Sequence, residues 1–355
     1  MSVIDLARAE VRALKPYSSA RMEASGGRVF LNANESPWPP PGDAGDRLHR
    51  YPDPQPAALL TVLAGLYGVA PEQVLVGRGS DEAIDLLVRA FCRPGVDAVA
   101  ICPPTFGMYA VAAGIQGARL VEVPLTEAFT LDADALLARV DATTRLVFLC
   151  SPNNPTGGLT PLAQIERVAR ALAGRALVVV DEAYIEFADA PSAASLLPRY
   201  PNLAVLRTLS KAHALAGARI GTLLAAAEVV GLLRRIMPPY PLPTPCVEAA
   251  LRALAPAAQA ETVRRVALLR AERERLAAAL PRLRGVRAVL PSAANFLCVR
   301  FTDSARVYAA ALAAGIVLRD VGRYPGLADC LRLSIGTADE NDAVLAVLRD
   351  AAEAA

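Results

Sequence analysis

The chain has 355 residues, 54% of them hydrophobic, and its 37 basic against 35 acidic residues leave a net charge of +2. That length accommodates about two domains with a large core, while near-neutral charge without a basic run points to neither nucleic acid nor a membrane surface as partner. Only two histidines, His49 and His213, are present, and the six cysteines never occur as Cys-x-x-Cys; no metal centre, disulfide framework or histidine-dependent triad is expected, and the thiols read as free and buried.

The opening stretch MSVIDLARAEVRALKPY spaces acidic and basic residues through its apolar ones and predicts a short amphipathic helix, not a signal peptide. No uncharged apolar run approaches the roughly 18 residues of a membrane span, so a soluble cytoplasmic protein is expected. NANESPWPPP and YPDPQP are turn-rich and predict a long irregular loop, a feature that is usually functional or packed on a partner. From about residue 55 to 230, helical stretches alternate with short apolar runs at 73–76, 98–102, 119–123, 145–150, 176–181, 203–208 and 219–225. This alternation predicts an α/β domain with a mostly parallel sheet covered by helices on both faces. The proline-rich IMPPYPLPTP (236–245) is the linker candidate. Beyond it, 246–280 reads as one long helix, and RAVLPSAANFLCVRF, a further helix and LRLSIG suit a smaller α+β domain. The expected division is an arm over 1–50, a large domain over 51–240 and a small domain over 241–355.

Thirty-five of the 37 basic residues are arginine; the two lysines are Lys15 and Lys211. A guanidinium stays protonated, whereas a lysine amine can be desolvated, lose its proton and condense with a carbonyl. Ligands of open α/β sheets gather at the carboxyl ends of the strands, and four polar stretches fall there. VGRGSDEAI (76–84) offers the amides of Ser80 and Asp81 at a helix N-terminus as an anion site. SPNNPTGG contributes Asn154, VVVDEAY contributes Asp181 and Tyr184, and RTLSKAHALAGAR contributes Thr208, Ser210, Lys211 and Arg219. Singly, each has an ordinary structural explanation: a turn, a cap, a core phenol. Together, an anion cradle, a carboxylate, a phenol and a lysine suit pyridoxal phosphate: Lys211 for its aldehyde, the amides with Thr208, Ser210 and Arg219 for its phosphate, Asp181 for its ring nitrogen, Tyr184 and Asn154 for its phenolic oxygen.

These motifs, with LNANESPW, YPDPQP, CPPTFGMY, LRDVGRYPGL and LRLSIGT, make the sequence resemble the fold-type I, class II aminotransferases over nearly its whole length, and within them the branch that acts on histidinol phosphate. The resemblance implies amino transfer between histidinol phosphate and 2-oxoglutarate, yielding glutamate, in histidine biosynthesis. It implies a homodimer in which Tyr51 reaches the cofactor phosphate of the partner subunit. Phe106 falls where the family usually stacks a tyrosine on the cofactor ring, so stacking is expected without the hydroxyl. Tyr17, Arg319 and Arg332, with Asn154, match positions that hold the substrate. Competing readings are an aromatic amino-acid aminotransferase, a decarboxylase of a phosphorylated threonine, and a non-catalytic sensor.

Overall fold

A computed structural model describes residues 2–17, 29–42, 45 and 48–353. The N-terminal stretch forms a 3-10 turn over Val3–Leu6 and a short helix α1 (Ala9–Ala13) in place of one continuous helix. The chain straightens at Ala7, and Val3, Leu6 and Val11 are buried together in one core cluster. Burying these apolar side chains, each worth about 1.5–3 kcal/mol, overrides the weak preference of so short a helix.

The alternation predicted between 55 and 230 is present as α2 (Ala57–Tyr67), β1 (Val74–Gly77), α3 (Ser80–Phe91), β2 (Ala98–Ile101), α4 (Met108–Gln116), β3 (Arg119–Glu122), α5 (Ala133–Arg139), β4 (Thr144–Cys150), α6 (Leu162–Ala171), β5 (Leu177–Asp181), β6 (Leu203–Thr208), β7 (Gly221–Ala225) and α7 (Ala227–Arg234). The seven strands form one sheet in the order β1-β7-β6-β5-β4-β2-β3. Strands β3, β2, β4, β5 and β6 run parallel to one another in that order, while β7 is antiparallel to both β6 and β1. Side chains alternate across the sheet and helices cover both faces, which explains why the interiors of the central strands are apolar on both sides. Val147, Val178 and Val180 face a cluster with Leu59 and Leu63 of α2, Leu136 of α5 and Val168 of α6; Phe148, Leu177 and Val179 face one with Leu87 of α3, Tyr109 of α4 and Val230 of α7.

The stretch expected to be a single long helix is two, α8 (Thr244–Ala253) and α9 (Pro256–Ala279). Pro256 has no N–H to continue a helix and forces Ala255 into an extended conformation (φ −61°, ψ 148°), but it suits the first position of a new one. Helix α8 packs on α2 through Val247 and Ala250, within the first of those core clusters. A second sheet follows, built from β8 (Val286–Val289), β9 (Phe296–Phe301), β10 (Arg319–Asp320) and β11 (Cys330–Ser334), antiparallel throughout in the order β10-β11-β9-β8, with helices α10 (Ser304–Ala313) and α11 (Ala338–Glu353). The six cysteines are free and five are buried. Among the described residues no helix is long and apolar enough to cross a membrane.

Candidate active site

The carboxyl ends of β4, β5 and β6 stand side by side, Cys150 opposite Asp181 and Asp181 opposite Leu206. Because β7 runs the other way, its first residue Gly221 lies opposite Thr208 at the end of β6 and Gly77 at the end of β1. A cleft of about 560 Å³ opens over this edge, closed on its far side by β10, β11 and the loop between them.

At one end the cleft is built for an anion. Helix α3 starts at Ser80 after Gly79, whose φ of 82° favours glycine and whose missing side chain leaves room for Arg219: a Cβ at Gly79 would lie 2.5 Å from that guanidinium. A Cβ at Gly221 would lie 2.1 Å from the carbonyl carbon of Gly79, so β7 and the start of α3 approach to backbone contact. The free amides and positive end of a 12-residue helix, Arg219 paired with Asp81 at 3.3 Å, and the hydroxyls of Thr208 and Ser210, 3.0 Å apart, therefore converge.

At the centre, Asp181 is buried and accepts the Tyr109 hydroxyl at 2.8 Å and the Ala183 N–H at 3.1 Å. Burial pushes its carboxyl up to about 6 against the opposing pull of those hydrogen bonds. No ion pair within 4 Å is found for it among the described residues; a buried carboxylate so placed favours a bound cation. Tyr109 is itself fully buried, stacked on Phe148 with ring centroids 4.7 Å apart and meeting Phe106 edge-on at 5.6 Å. The Lys211 amine opens into the cleft 5.5 Å from the Tyr184 ring centroid; desolvation first, and then the charge of Arg332, lower its pKa and favour the neutral nucleophile. Burial raises the Tyr184 phenol, keeping it a proton donor.

The far end is cationic. Arg319 and Arg332 are directly opposite one another across β10 and β11, hence on one face of the sheet. Arg332 donates to Asn154 Oδ1 at 2.5 Å, Asn154 Nδ2 donates to the Tyr184 oxygen at 3.4 Å, and the Arg332 guanidinium lies 5.1 Å from the Phe296 ring centroid. Among the described residues neither arginine has a carboxylate within 4 Å. Like charges set opposite each other in a sheet are destabilising, and an anion between them removes that cost.

Of the residues singled out in the sequence, Ser80, Asp81, Phe106, Asn154, Asp181, Tyr184, Thr208, Ser210, Lys211, Arg219, Arg319 and Arg332 line this one cleft. Tyr51 and Tyr17 do not: Tyr51 is half-exposed and stacked on Tyr240 at 4.5 Å, and Tyr17 is exposed. Sequence reasoning passed over Tyr109, the last residue of CPPTFGMY, which lies in the first turn of α4. It also passed over Arg323 and Tyr324, which line the cleft from the loop after β10.

A mostly parallel sheet with a lysine, a buried carboxylate and an anion cradle at its carboxyl edge is the architecture of fold-type I pyridoxal-phosphate enzymes, and the chain belongs to the class I and II aminotransferase family, whose model spans residues 31–348. Within that family it is 58% identical to a histidinol-phosphate aminotransferase of Xanthomonas campestris pv. campestris (strain 8004) over 358 aligned positions, covering 100% of this chain and 99% of that one. A histidinol-phosphate aminotransferase of Xylella fastidiosa (strain 9a5c) is 56% identical over 98% of this chain and 97% of its own. The crystal structure of histidinol-phosphate aminotransferase from Sinorhizobium meliloti in complex with pyridoxal-5'-phosphate superposes with a TM-score of 0.79 at 30% identity, over 88% of this chain and 85% of that one. Pyridoxal phosphate is the cofactor of this chain, and the cradle at Gly79 and Gly221 with the buried Asp181 fits its phosphate and its ring nitrogen.

Proposed function

We propose that this chain transfers the amino group of L-histidinol phosphate to 2-oxoglutarate, giving imidazole-acetol phosphate and L-glutamate, a step of histidine biosynthesis. The observation that carries the substrate assignment is the facing pair Arg319 and Arg332, without a carboxylate within 4 Å among the described residues and joined, from Arg332, through Asn154 to Tyr184. Guanidinium forks fit both a phosphate ester and a carboxylate, the two anions the cleft takes in turn.

When bound, pyridoxal phosphate supplies an electrophilic carbonyl and a ring that takes up the electron pair released at the substrate α carbon. Lys211 would hold that carbonyl, and its Nζ, when free, would take the proton from the substrate α carbon; positioned acid–base catalysis of this kind contributes about 10²- to 10⁴-fold. Asp181 would accept the ring N–H and so keep the proton on that nitrogen. Tyr184 and Asn154 would hydrogen-bond the phenolic oxygen, Phe106 would cover the ring, and Thr208, Ser210, Arg219 and the Ser80 and Asp81 amides would hold the phosphate. Arg319 and Arg332 bind the substrate's anionic group.

The exposure of Tyr51 outside its own cleft, with Leu31 and Trp38 also exposed along the arm, supports a homodimer in which Tyr51 serves the partner's phosphate site. The organisation into an arm over 1–50, a large domain over 51–240 and a small domain over 241–355 belongs to the same reading, as does a cytoplasmic location.

Turnover with 2-oxoglutarate tests the assignment. Histidinol phosphate is expected to exceed phenylalanine and tyrosine in kcat/KM; the reverse ranking identifies an aromatic aminotransferase, and release of carbon dioxide a decarboxylase. Borohydride reduction of the holoenzyme is expected to label the peptide containing Lys211, and a label elsewhere removes that residue from its role.

A further inference from the structure

The loop between β10 and β11 is anchored at both ends by side chains buried in the small sheet's core, Val321 and Leu327, which pack with Cys298 and Cys330. Within it the Val321 carbonyl accepts the Tyr324 N–H at 3.1 Å and the Tyr324 carbonyl accepts the Leu327 N–H at 3.1 Å. Asp320 accepts the Gly322 N–H at 2.8 Å within the same turn and, among the described residues, has no arginine within 4 Å. These bonds fix Arg323 and Tyr324 as the tip of a short, constrained loop, and both side chains line the cleft. The Tyr324 ring lies 5.7 Å from the Arg323 guanidinium carbon, and its hydroxyl reaches the opposite wall, 3.8 Å from where a Cβ on Gly107 would stand, one residue from Phe106. Tyr324 thus spans the mouth of the cleft from the small sheet to the start of α4.

Charge at the substrate end goes beyond what a carboxylate needs. Arg219 and Asp81 are paired at the phosphate cradle and Asp181 serves the centre, which leaves Arg319, Arg323 and Arg332 facing the substrate with no carboxylate within 4 Å among the described residues. One guanidinium fork pairs bidentately with a carboxylate or with two oxygens of a phosphate ester. A third, held at the mouth, adds attraction that scales with ligand charge and so discriminates a dianion from a monoanion.

We propose that Arg323, held by Tyr324, is a specificity-determining residue that favours the doubly charged phosphate ester over singly charged carboxylates in this cleft. The proposal rests on the histidinol phosphate reading for its natural ligand, but the charge selectivity can be measured independently of it. The holoenzyme and its Arg323→Gln, Arg323→Lys and Tyr324→Ala variants are compared for inhibition of the glutamate half-reaction by inorganic phosphate and by acetate at pH 8. Arg323→Gln is expected to weaken phosphate inhibition about three- to tenfold and acetate inhibition less than twofold. Arg323→Lys retains most of the preference, and Tyr324→Ala, which removes a cation–π contact, loses part of it. With histidinol phosphate as donor, Arg323→Gln raises KM by the same three- to tenfold at nearly constant kcat. Equal weakening of both inhibitors, or no change in either, overturns the proposal. If the wild-type enzyme fails to turn over histidinol phosphate yet shows the phosphate-selective loss, the substrate assignment falls and the role of Arg323 stands.

Discussion

Asp181 gives a prediction whose sign is opposite to that of most active-site substitutions. Its carboxyl titrates near 3.8 in an unfolded chain and is pushed up to about 6 by burial in the folded one. A folded-state pKa above the unfolded value means stability that is fully present below about pH 4 and is lost as pH rises through about 6, because the folded protein must then hold a buried carboxylate without a cation. A difference of about two pH units, at about 1.4 kcal/mol each, corresponds to roughly 3 kcal/mol lost by the cofactor-free protein at neutral pH. Asp181→Asn cannot titrate. Its Oδ1 still accepts the Ala183 N–H, while an amide nitrogen replaces the oxygen that accepted the Tyr109 hydroxyl and leaves a buried donor short of an acceptor, a cost of about 1–3 kcal/mol that is the same at every pH. The stability difference, variant minus wild type, is therefore expected to climb by up to about 3 kcal/mol between pH 4 and pH 7 and then level off. Urea unfolding of the two cofactor-free proteins at equal concentration across that range measures it. A difference that is flat with pH, or that falls, refutes the account of Asp181 as a carboxylate destabilised until the cofactor's ring cation arrives.

The parts of this site legible in the sequence are those in which chemistry and local backbone coincide. The apolar runs marked the strands to within about two residues, and polar residues at their ends had to lie at one sheet edge once the sheet was parallel; hence Asp181, Thr208 and Lys211 fall together. What could not be read is whatever depends on pairing between distant segments. The antiparallel course of β7 brings Gly221 against Gly79, and no local signal announces that contact. The facing of Arg319 and Arg332 is a matter of register across β10 and β11, while the hydrogen bond from Tyr109 to Asp181 joins residues 72 apart in sequence. Pro256 shows a different kind of gap: the signal that splits α8 from α9 was present in the sequence and was outweighed by the helical composition on either side.

Gly221→Ala places a methyl group where the backbone of Gly79 stands, and the start of α3 must move to admit it. The cofactor dissociation constant is expected to rise at least tenfold, and an unchanged value would show that the cradle tolerates displacement. Lys211→Ala is expected to bind the cofactor without the borohydride-reducible link and to lose more than the 10²- to 10⁴-fold of its acid–base role; turnover above that bound would place the base elsewhere. Tyr109→Phe keeps the ring that stacks on Phe148 and meets Phe106, and deletes only the hydroxyl that donates to Asp181. A hydrogen bond to a charged group is worth about 1.5–3 kcal/mol, and its loss makes Asp181 still harder to ionise, so the carboxylate's hold on the ring proton weakens. The expected result is cofactor affinity reduced roughly tenfold, with the pH dependence of cofactor absorbance displaced because the ring nitrogen loses its proton more readily. Since packing is conserved in this variant, unchanged affinity with an unaltered absorbance titration would assign Tyr109 to packing alone, whereas movement of both ties its hydroxyl to the charge on Asp181.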